Sequence, residues 1–354
     1  MERKIVHVIG TGTIGEPLIG LLCDYQHQLG IDEVTFHKNS AIKNERSKVI
    51  NLLNRGARLV LDNDKVNDFK KIKIESDLRT EDAIERATVV IDCTPTGIGR
   101  HNKLNYYQKF SKNVKGFLAQ GSESGFGKKY ARGINDSALS SDDKFIQIVS
   151  CNTHNISCLI KTIAFNNNTS ILKNGNFLCV RRANDLSQED SFIPSPKVGA
   201  HDDEVFGTHH ARDAAALFYT LGEDLDLFSS AMKVNSQYMH ILWFRLILND
   251  NMHVDDLKGV LNENPLIALT TKDMTSSVFS FGRDHGHYGR ILNQTVIVEQ
   301  SLHLRNGNEI SGFCFTPQDG NSILSSIAAT EWFLYPHSYE DKIQCLSKLF
   351  FNNI

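Results

Sequence analysis

The chain of 354 residues has no long apolar run: no stretch approaches the roughly 18 residues that crossing a bilayer requires, so no membrane-spanning helix is expected. It has little excess charge. Lys and Arg number 38 against 41 Asp and Glu, and a formal net charge of −3 argues against a dedicated nucleic-acid binder. Its seven cysteines, Cys23, Cys93, Cys151, Cys158, Cys179, Cys314 and Cys345, include no CxxC pair and follow no framework spacing. That excludes a structural zinc or a disulfide scaffold from the expectation and favours a reducing, cytoplasmic setting. A HExxH-type metal pattern is absent. So are internal repeats, low-complexity tracts and flexible linkers. The first residues are charged and lead straight into a strand pattern, which leaves no expectation of a secretory leader.

What is there is ordinary globular composition, 41% hydrophobic and 22% charged, in a length sufficient for a large core and about two domains. Up to about residue 150, strand-like and helix-like segments alternate. "KIVHVIG", "DEVTFHK", "ATVVIDCTP" and "VKGFLAQG" read as strands, and "TIGEPLIGLLCDYQHQLG" reads as a helix closed by Gly30. Such alternation predicts an α/β domain with a parallel, doubly wound sheet. After Cys151 the pattern changes. "NGNFLCVRRAND", "LDLFSSAMKVNSQ" and "QTVIVEQSLHLRNGNEISGFCFTP" are longer alternating runs, with a turn signal at Asn306-Gly307. They predict an α+β domain whose sheet is mostly antiparallel, with helices on one face. "HVDDLKGVLNEN" is read as a helix and "NSILSSIAATEWFLY" as an amphipathic one. The polar segment 184–206, with Pro194 and Pro196, is read as a surface loop.

"VIGTGTIG" sets Gly10, Gly12 and Gly15 in a GxGxxG pattern between a strand and a helix. The first glycine permits a tight turn, the second a close approach of backbone to pyrophosphate, and the third close helix–strand packing. About 20 residues on, such domains carry an acid for the ribose hydroxyls. Here the strand ends "TFHKNS", so a cation, Lys38, stands where the acid is missing. A lysine there favours the extra phosphate of NADP over NAD. "DCTPTGIG" puts Cys93, Thr94 and Pro95 at the carboxyl end of another strand, where doubly wound sheets hold ligands, with Gly97 and Gly99 allowing close approach.

"FIQIVSCNTHNIS" runs from a buried strand (Phe145, Ile146, Ile148, Val149) into helical spacing at Ile156, Leu159, Ile160 and Ile163. Asn152 and Thr153 are helix-capping residue types. Cys151 then sits near a helix N-terminus, where the dipole and free N–H groups favour a thiolate nucleophile. The plain alternative is a buried apolar cysteine. "CVRRAND" and "FGTHHARD" read as an anion site. Arg181 and Arg182 point to opposite faces of a continuing strand, one free for a phosphate and the other paired with Asp185 or Asp213. His209 and His210 add imidazole donors beside Thr208. His240 lies in an apolar, helix-like run, "NSQYMHILWF", and takes a catalytic reading only with a nucleophile beside it.

Taken together, "GTGTIGEPL", "VVIDCTPTGIGRHN", "QGSESG", "VSCNT", "VRRAND", "THHARD" and Met239-His240, in this order, resemble the archaeal-type (type II) glyceraldehyde-3-phosphate dehydrogenases from about residue 4 to about residue 335. The resemblance implies a Rossmann-type domain over 1–151, a catalytic domain over 152–315, and a last helix, within about 316–354, that packs back on the first domain. It implies a homotetramer using NADP or NAD. Cys151 would be the nucleophile and His240 the general base. Gly10, Thr11, Gly12, Thr13, Ile14, Gly15, Lys38, Asn39, Thr94, Pro95, Gly97, Gln120 and Gly121 would hold the dinucleotide. Asn152, Thr153, Arg181, His209 and His210 would hold substrate phosphate.

The family reads MHxHN where this chain has "MHILW", so Leu242 and Trp243 replace a histidine and an asparagine. It has a second glycine and a lysine near "QGSESG", and Thr-Gly where His154 and Asn155 stand here. Beyond Arg290 the match is poor. The reaction implied is phosphorylating aldehyde oxidation, through a cysteine thiohemiacetal and thioester to an acyl phosphate, with inorganic phosphate as co-substrate and glyceraldehyde 3-phosphate as leading substrate. Alternatives are another phosphorylated or anionic aldehyde, a semialdehyde, and a non-catalytic dinucleotide-binding regulator on the same fold.

Overall fold

The computed structural model describes residues 3–121, 123–184, 193–317 and 319–354. It divides into two compact units. One comprises Met1–Lys128, Ser140–Ile148 and Ser325–Ser347, the other Lys129–Leu139, Val149–Leu324 and Lys348–Ile354. The fold is α/β, with a parallel sheet and a separate mixed sheet.

The first sheet is built from β1 (Ile5–Ile9), β2 (Glu33–His37), β3 (Arg58–Leu61), β4 (Leu78–Arg79), β5 (Val89–Asp92), β6 (Gly116–Gln120), β7 (Lys128–Tyr130) and β8 (Phe145–Ile148), in the order β4-β3-β2-β1-β5-β6-β8-β7. From β4 across to β8 every neighbour pair is parallel. β1, β5 and β6 are buried end to end. Helices cover both faces of such a sheet, which is why these strands are continuous apolar runs rather than alternating ones. The chain winds outward from β1 to β4 on one side and through β5, β6 and β8 on the other, so the order reverses between β1 and β5. Ligands of doubly wound sheets bind beyond the carboxyl ends at such a reversal. Gly10, Lys38, Cys93 and Gly121 directly follow β1, β2, β5 and β6.

The helix read through to Gly30 is two segments, Gly15–Asp24 and Gln26–Leu29. The break falls at Tyr25, whose ψ of 12° leaves the helical range, and Gly30 caps the second segment with φ 68°. The helix Gly320–Leu334 forms where expected but is not amphipathic: Asn321 through Leu334 is buried except at Trp332. Its polar positions are mostly small hydroxyls, among them Thr330, whose Oγ1 donates to Ser326 O at 2.7 Å. Within the first unit, Gln120 Nε2 donates to Ser326 Oγ (2.7 Å) and Tyr335 OH to Gly30 O (2.7 Å).

The second unit holds a small hairpin, β9 (Phe165–Asn166) and β10 (Thr169–Ser170). Its main sheet comprises β11 (Leu172–Arg181), β12 (Lys197–Val198), β13 (Leu227–Lys233), β14 (His240–Leu248), β15 (Ile267–Thr270), β16 (Thr295–Val298), β17 (His303–Arg305) and β18 (Glu309–Thr316), in the order β12-β13-β11-β14-β18-β16-β15 with β17 beside β18. Among the described residues, β11/β13 and β15/β16 are its parallel pairings and the others are antiparallel. Phe177, Cys179, Leu242, Phe244 and Leu246 line the face that packs with Ile156, Leu159, Ile160, Leu217 and Leu257 of three helices. The residues between them, such as Val180, Ile241 and Trp243, are half-buried on the other face. Asn306 (φ 54°) and Gly307 (φ 76°) take the positive φ values of the turn between β17 and β18.

His240 does not lie in a helix. It opens the central strand β14, which pairs with β11 and β18 along its length. The run "HILWFRLIL" is apolar at almost every position and carries no period that separates helix from strand; its pairing partners on both sides decide for the strand. Of segment 184–206, residues 185–192 lie outside the described residues. The remainder is mostly exposed and includes the short edge strand β12.

Candidate active site

Val149 and Ser150 link β8 to the helix Cys151–Ile163, and Cys151 is that helix's first residue. The cap is Ser150, whose Oγ accepts the Thr153 N–H at 3.4 Å. Asn152 and Thr153, the expected capping types, are instead buried inside the first turn, and Thr153 Oγ1 meets Ser150 Oγ at 2.9 Å. Asn321 Nδ2 donates to the Cys151 carbonyl at 3.0 Å. The Cys151 side chain is half-buried. Burial pushes the Cys23, Cys158 and Cys314 thiols up to about 12, and raises Cys93 and Cys179 as well. Those five stay protonated at neutral pH, whereas Cys151 stands at the positive end of a helix dipole.

His240 Nδ1 lies 3.8 Å from Cys151 Sγ and 3.1 Å from Asn152 Oδ1. Asn152 Oδ1 also accepts from Thr316 Oγ1 at 3.0 Å, and Thr316 Oγ1 accepts from Asn155 Nδ2 at 2.9 Å. Asn155 Oδ1 in turn accepts from the Cys314 thiol at 3.3 Å. With Thr316 spending its proton on Asn152, the Asn152 oxygen also accepts from His240. Nδ1 is then the protonated nitrogen and Nε2 the acceptor. Burial, with Arg182, Arg181 and Lys233 nearby, holds His240 well below the usual imidazole range. At neutral pH it is therefore neutral, with its single N–H held by Asn152 and Nε2 able to take a proton. Sequence reading missed the roles of Asn155, Thr316 and Asn321: Asn155 lies 161 residues from Thr316 in the chain, and an isolated Asn or Thr carries no motif.

Arg181 ends β11, its backbone in register with Lys233 of β13. His209 and His210 open the helix His209–Tyr219, with Thr208 as cap, and their rings are 4.0 Å apart. His210 Nδ1 reaches Ser150 Oγ at 3.4 Å, so the N-termini of the His209 and Cys151 helices converge. Its buried Nε2 has no hydrogen-bond partner among the described residues. His210 is held well below the usual range by burial, then by His209, Arg181 and His240; His209 is lowered chiefly by burial. Two helix N-termini, an arginine and two imidazoles beside a half-buried cysteine form a ready site for an anion. Of the two carboxylates expected beside the arginine pair, Asp213 is engaged elsewhere. Arg182 bonds Tyr238 O at 3.2 Å and pairs with Asp319 at 3.5 Å. Asp213 pairs with Lys129 at 2.8 Å, and Asp185 lies outside the described residues.

The residues expected to hold a dinucleotide all lie in the first unit. Gly10 takes φ 95°, and a Cβ on Gly15 would collide with the Gly10 carbonyl oxygen. Gly12 is exposed, with open space where a Cβ would stand, so the loop fits a pyrophosphate. Thr13 and Ile14 are half-buried at the start of the helix Gly15–Asp24. Thr94 is tied down to Asp92 through its N–H at 2.9 Å. Pro95, Gly97 and Asn39 are exposed, Gln120 is buried, and Gly121 follows it at φ 73°. The Gly97 N–H is engaged by the buried carboxylate of Glu123, a residue of "QGSESG" that sequence reading passed over. Lys38 is buried, bonded to Thr11 Oγ1 at 3.2 Å and ion-paired with Glu45. Among the described residues no His, Cys, Asp and Glu side chains gather in threes as a metal site. No helix there is long and apolar enough to cross a membrane.

No family model matches the chain. It is 28% identical over 328 residues to a protein of Sulfurisphaera tokodaii named glyceraldehyde-3-phosphate dehydrogenase, covering 88% of this chain and 86% of that one. A protein of the same name from Sulfolobus acidocaldarius is 28% identical over 320 residues, with the same coverage. A third, from Metallosphaera sedula, is 28% identical over 269 residues and covers 72% of each chain. Similarity of this extent, over most of both chains, is consistent with the archaeal-type glyceraldehyde-3-phosphate dehydrogenase family.

Proposed function

We propose that the protein is a phosphorylating aldehyde dehydrogenase of the glyceraldehyde-3-phosphate type, dependent on NAD or NADP. The observation that carries this reading is Cys151 at a helix N-terminus, 3.8 Å from a histidine held neutral beside an arginine–histidine cluster. The Cys151 thiolate attacks the aldehyde carbon, forming a C–S bond and leaving an alkoxide that takes up a proton. His240 removes that proton as the hemiacetal carbon is oxidised. A bound nicotinamide would supply hydride acceptance. The resulting thioester is attacked by inorganic phosphate, and the C–S bond breaks to return the thiolate and release an acyl phosphate. Arg181, His209 and His210, with Asn152 and Thr153 in the helix turn behind them, hold the phosphate groups.

The first unit binds the dinucleotide through Gly10 to Gly15 and the loops after β2, β5 and β6. The choice between NAD and NADP turns on the pairing of Lys38. A homotetramer in the cytoplasm, working in glycolysis, belongs to the same reading. The test is NAD(P)H absorbance with glyceraldehyde 3-phosphate, other phosphorylated aldehydes and unphosphorylated semialdehydes, each with and without inorganic phosphate. Phosphate-dependent reduction with a phosphorylated aldehyde is expected. Reduction of a semialdehyde alone, or of nothing, would overturn the reading.

A further inference from the structure

The acid missing after β2 is supplied from elsewhere in the first unit. β2 ends at His37, which pairs with Asp62 at 3.2 Å, so Asp62 is spoken for. Lys38 follows, with its ammonium buried against Thr11 of the glycine loop and paired with Glu45. Glu45 ends the short turn Lys43–Glu45 and directly precedes the helix Arg46–Asn54. From that helix Lys48 reaches back to Glu45 Oε1 (3.1 Å), Glu16 Oε2 (3.5 Å) and the Thr11 carbonyl (3.3 Å). Two ammonium groups and two carboxylates therefore sit interlocked at Thr11, with no net charge among them.

We propose that Glu45 is the residue that decides cofactor choice, accepting the adenosine ribose hydroxyls and keeping Lys38 neutralised, so that the protein selects NAD over NADP. This rests on the reading of the first unit as a dinucleotide domain. A ribose 2′-hydroxyl is a donor, and an ionised carboxylate is an acceptor with lone pairs to spare beyond its two lysines. A 2′-phosphate brings further negative charge to a cluster whose cations are already paired, and it meets the Glu45 carboxylate head-on. Lys38 alone, read from the sequence, points to NADP. Lys38 with Glu45 upon it points the other way; removing that carboxylate releases Lys38, leaves Lys48 paired with Glu16, and gives the cluster one net positive charge for a phosphate.

The experiment is direct binding, by calorimetric titration of NAD and NADP into wild-type protein, Glu45→Gln and Lys38→Met/Glu45→Gln, with melting temperatures to verify folding. The wild type is expected to bind NAD more tightly than NADP by about tenfold or more, about 1.4 kcal/mol. Glu45→Gln should tighten NADP relative to NAD by a similar factor, and Lys38→Met on that background should remove the gain. NADP binding as tight as NAD in the wild type would overturn the proposal, as would an equal change for both dinucleotides in Glu45→Gln. The wild-type comparison decides even if the variants fail to fold. Binding of neither dinucleotide would overturn the dinucleotide reading itself.

Discussion

A buried hydroxyl can govern a histidine it never touches. Thr316 donates to Asn152, Asn152 holds His240, and His240 faces Cys151. Thr316→Val leaves Asn152 with one partner and Asn155 Nδ2 buried without one, so the ring loses its fixed orientation. Turnover should fall by about tenfold or more, and the pH profile of Cys151 alkylation should move with it. Thr316→Ser, which restores the hydroxyl, should rescue both; a Val variant with an unchanged alkylation profile would make Thr316 merely structural. Cys151 itself should be alkylated first by iodoacetamide among the seven cysteines at neutral pH. Cys151→Ser should abolish turnover yet leave dinucleotide affinity intact, since the glycine loop belongs to the other unit. A serine variant reducing cofactor at the parental rate would sink the mechanism.

The proposed anion site is made where elements end: the carboxyl end of β11 and the N-termini of two helices tied by the Ser150–His210 contact. Arg181→Ala should raise KM for a phosphorylated aldehyde far more than for its unphosphorylated analogue, because a charge-assisted contact is lost. The same change removes one of the cations that depress His240. The acid limb of kcat/KM, expected below 6.5 in the parent, should therefore shift upward in the variant. Equal KM effects on both substrates with no shift of the limb would assign Arg181 to structure alone. Ser150→Ala removes the cap of the Cys151 helix and should cost about 1 kcal/mol in urea unfolding.

For the molecule as a whole, two fully buried histidines set its acid tolerance, one in each unit: His7 in β1, and His154 in the Cys151 helix, where its Nδ1 lies 3.0 Å from Ser150 O. Burial, helped by His37, lowers His7 to about 3, and burial lowers His154 to about 4. Both are neutral in the folded protein, while the unfolded chain takes up their protons near 6.5. The stability of keeping them neutral is complete above that value and is lost as pH falls toward about 4 and about 3. At pH 5 each should cost on the order of 2 kcal/mol. Urea unfolding at pH 7 and pH 5 measures the loss, and His7→Gln and His154→Gln should each shrink the difference; an unchanged difference in both would refute it.

Local chemistry made much of this legible in the chain. The Gly10–Gly15 spacing, the buried strands around it and the placement of Cys151 between strand and helix depend on near neighbours, and near neighbours are what a sequence displays. The run after Met239 was not legible, because an apolar stretch without period takes its form from the strands beside it. Ser150 rather than Asn152 or Thr153 became the cap, since only the backbone conformation says which residue stands half outside a helix. The partners of Arg182 and Lys38 were likewise beyond reach: Asp319 lies far along the chain, and Glu45 returns to Lys38 only through a turn. Sequence by itself determined the fold class, the glycine loop and the place of Cys151 at a helix N-terminus. Tertiary structure decided which charges meet, because an ion pair is set by where two elements cross in space and not by their separation along the chain.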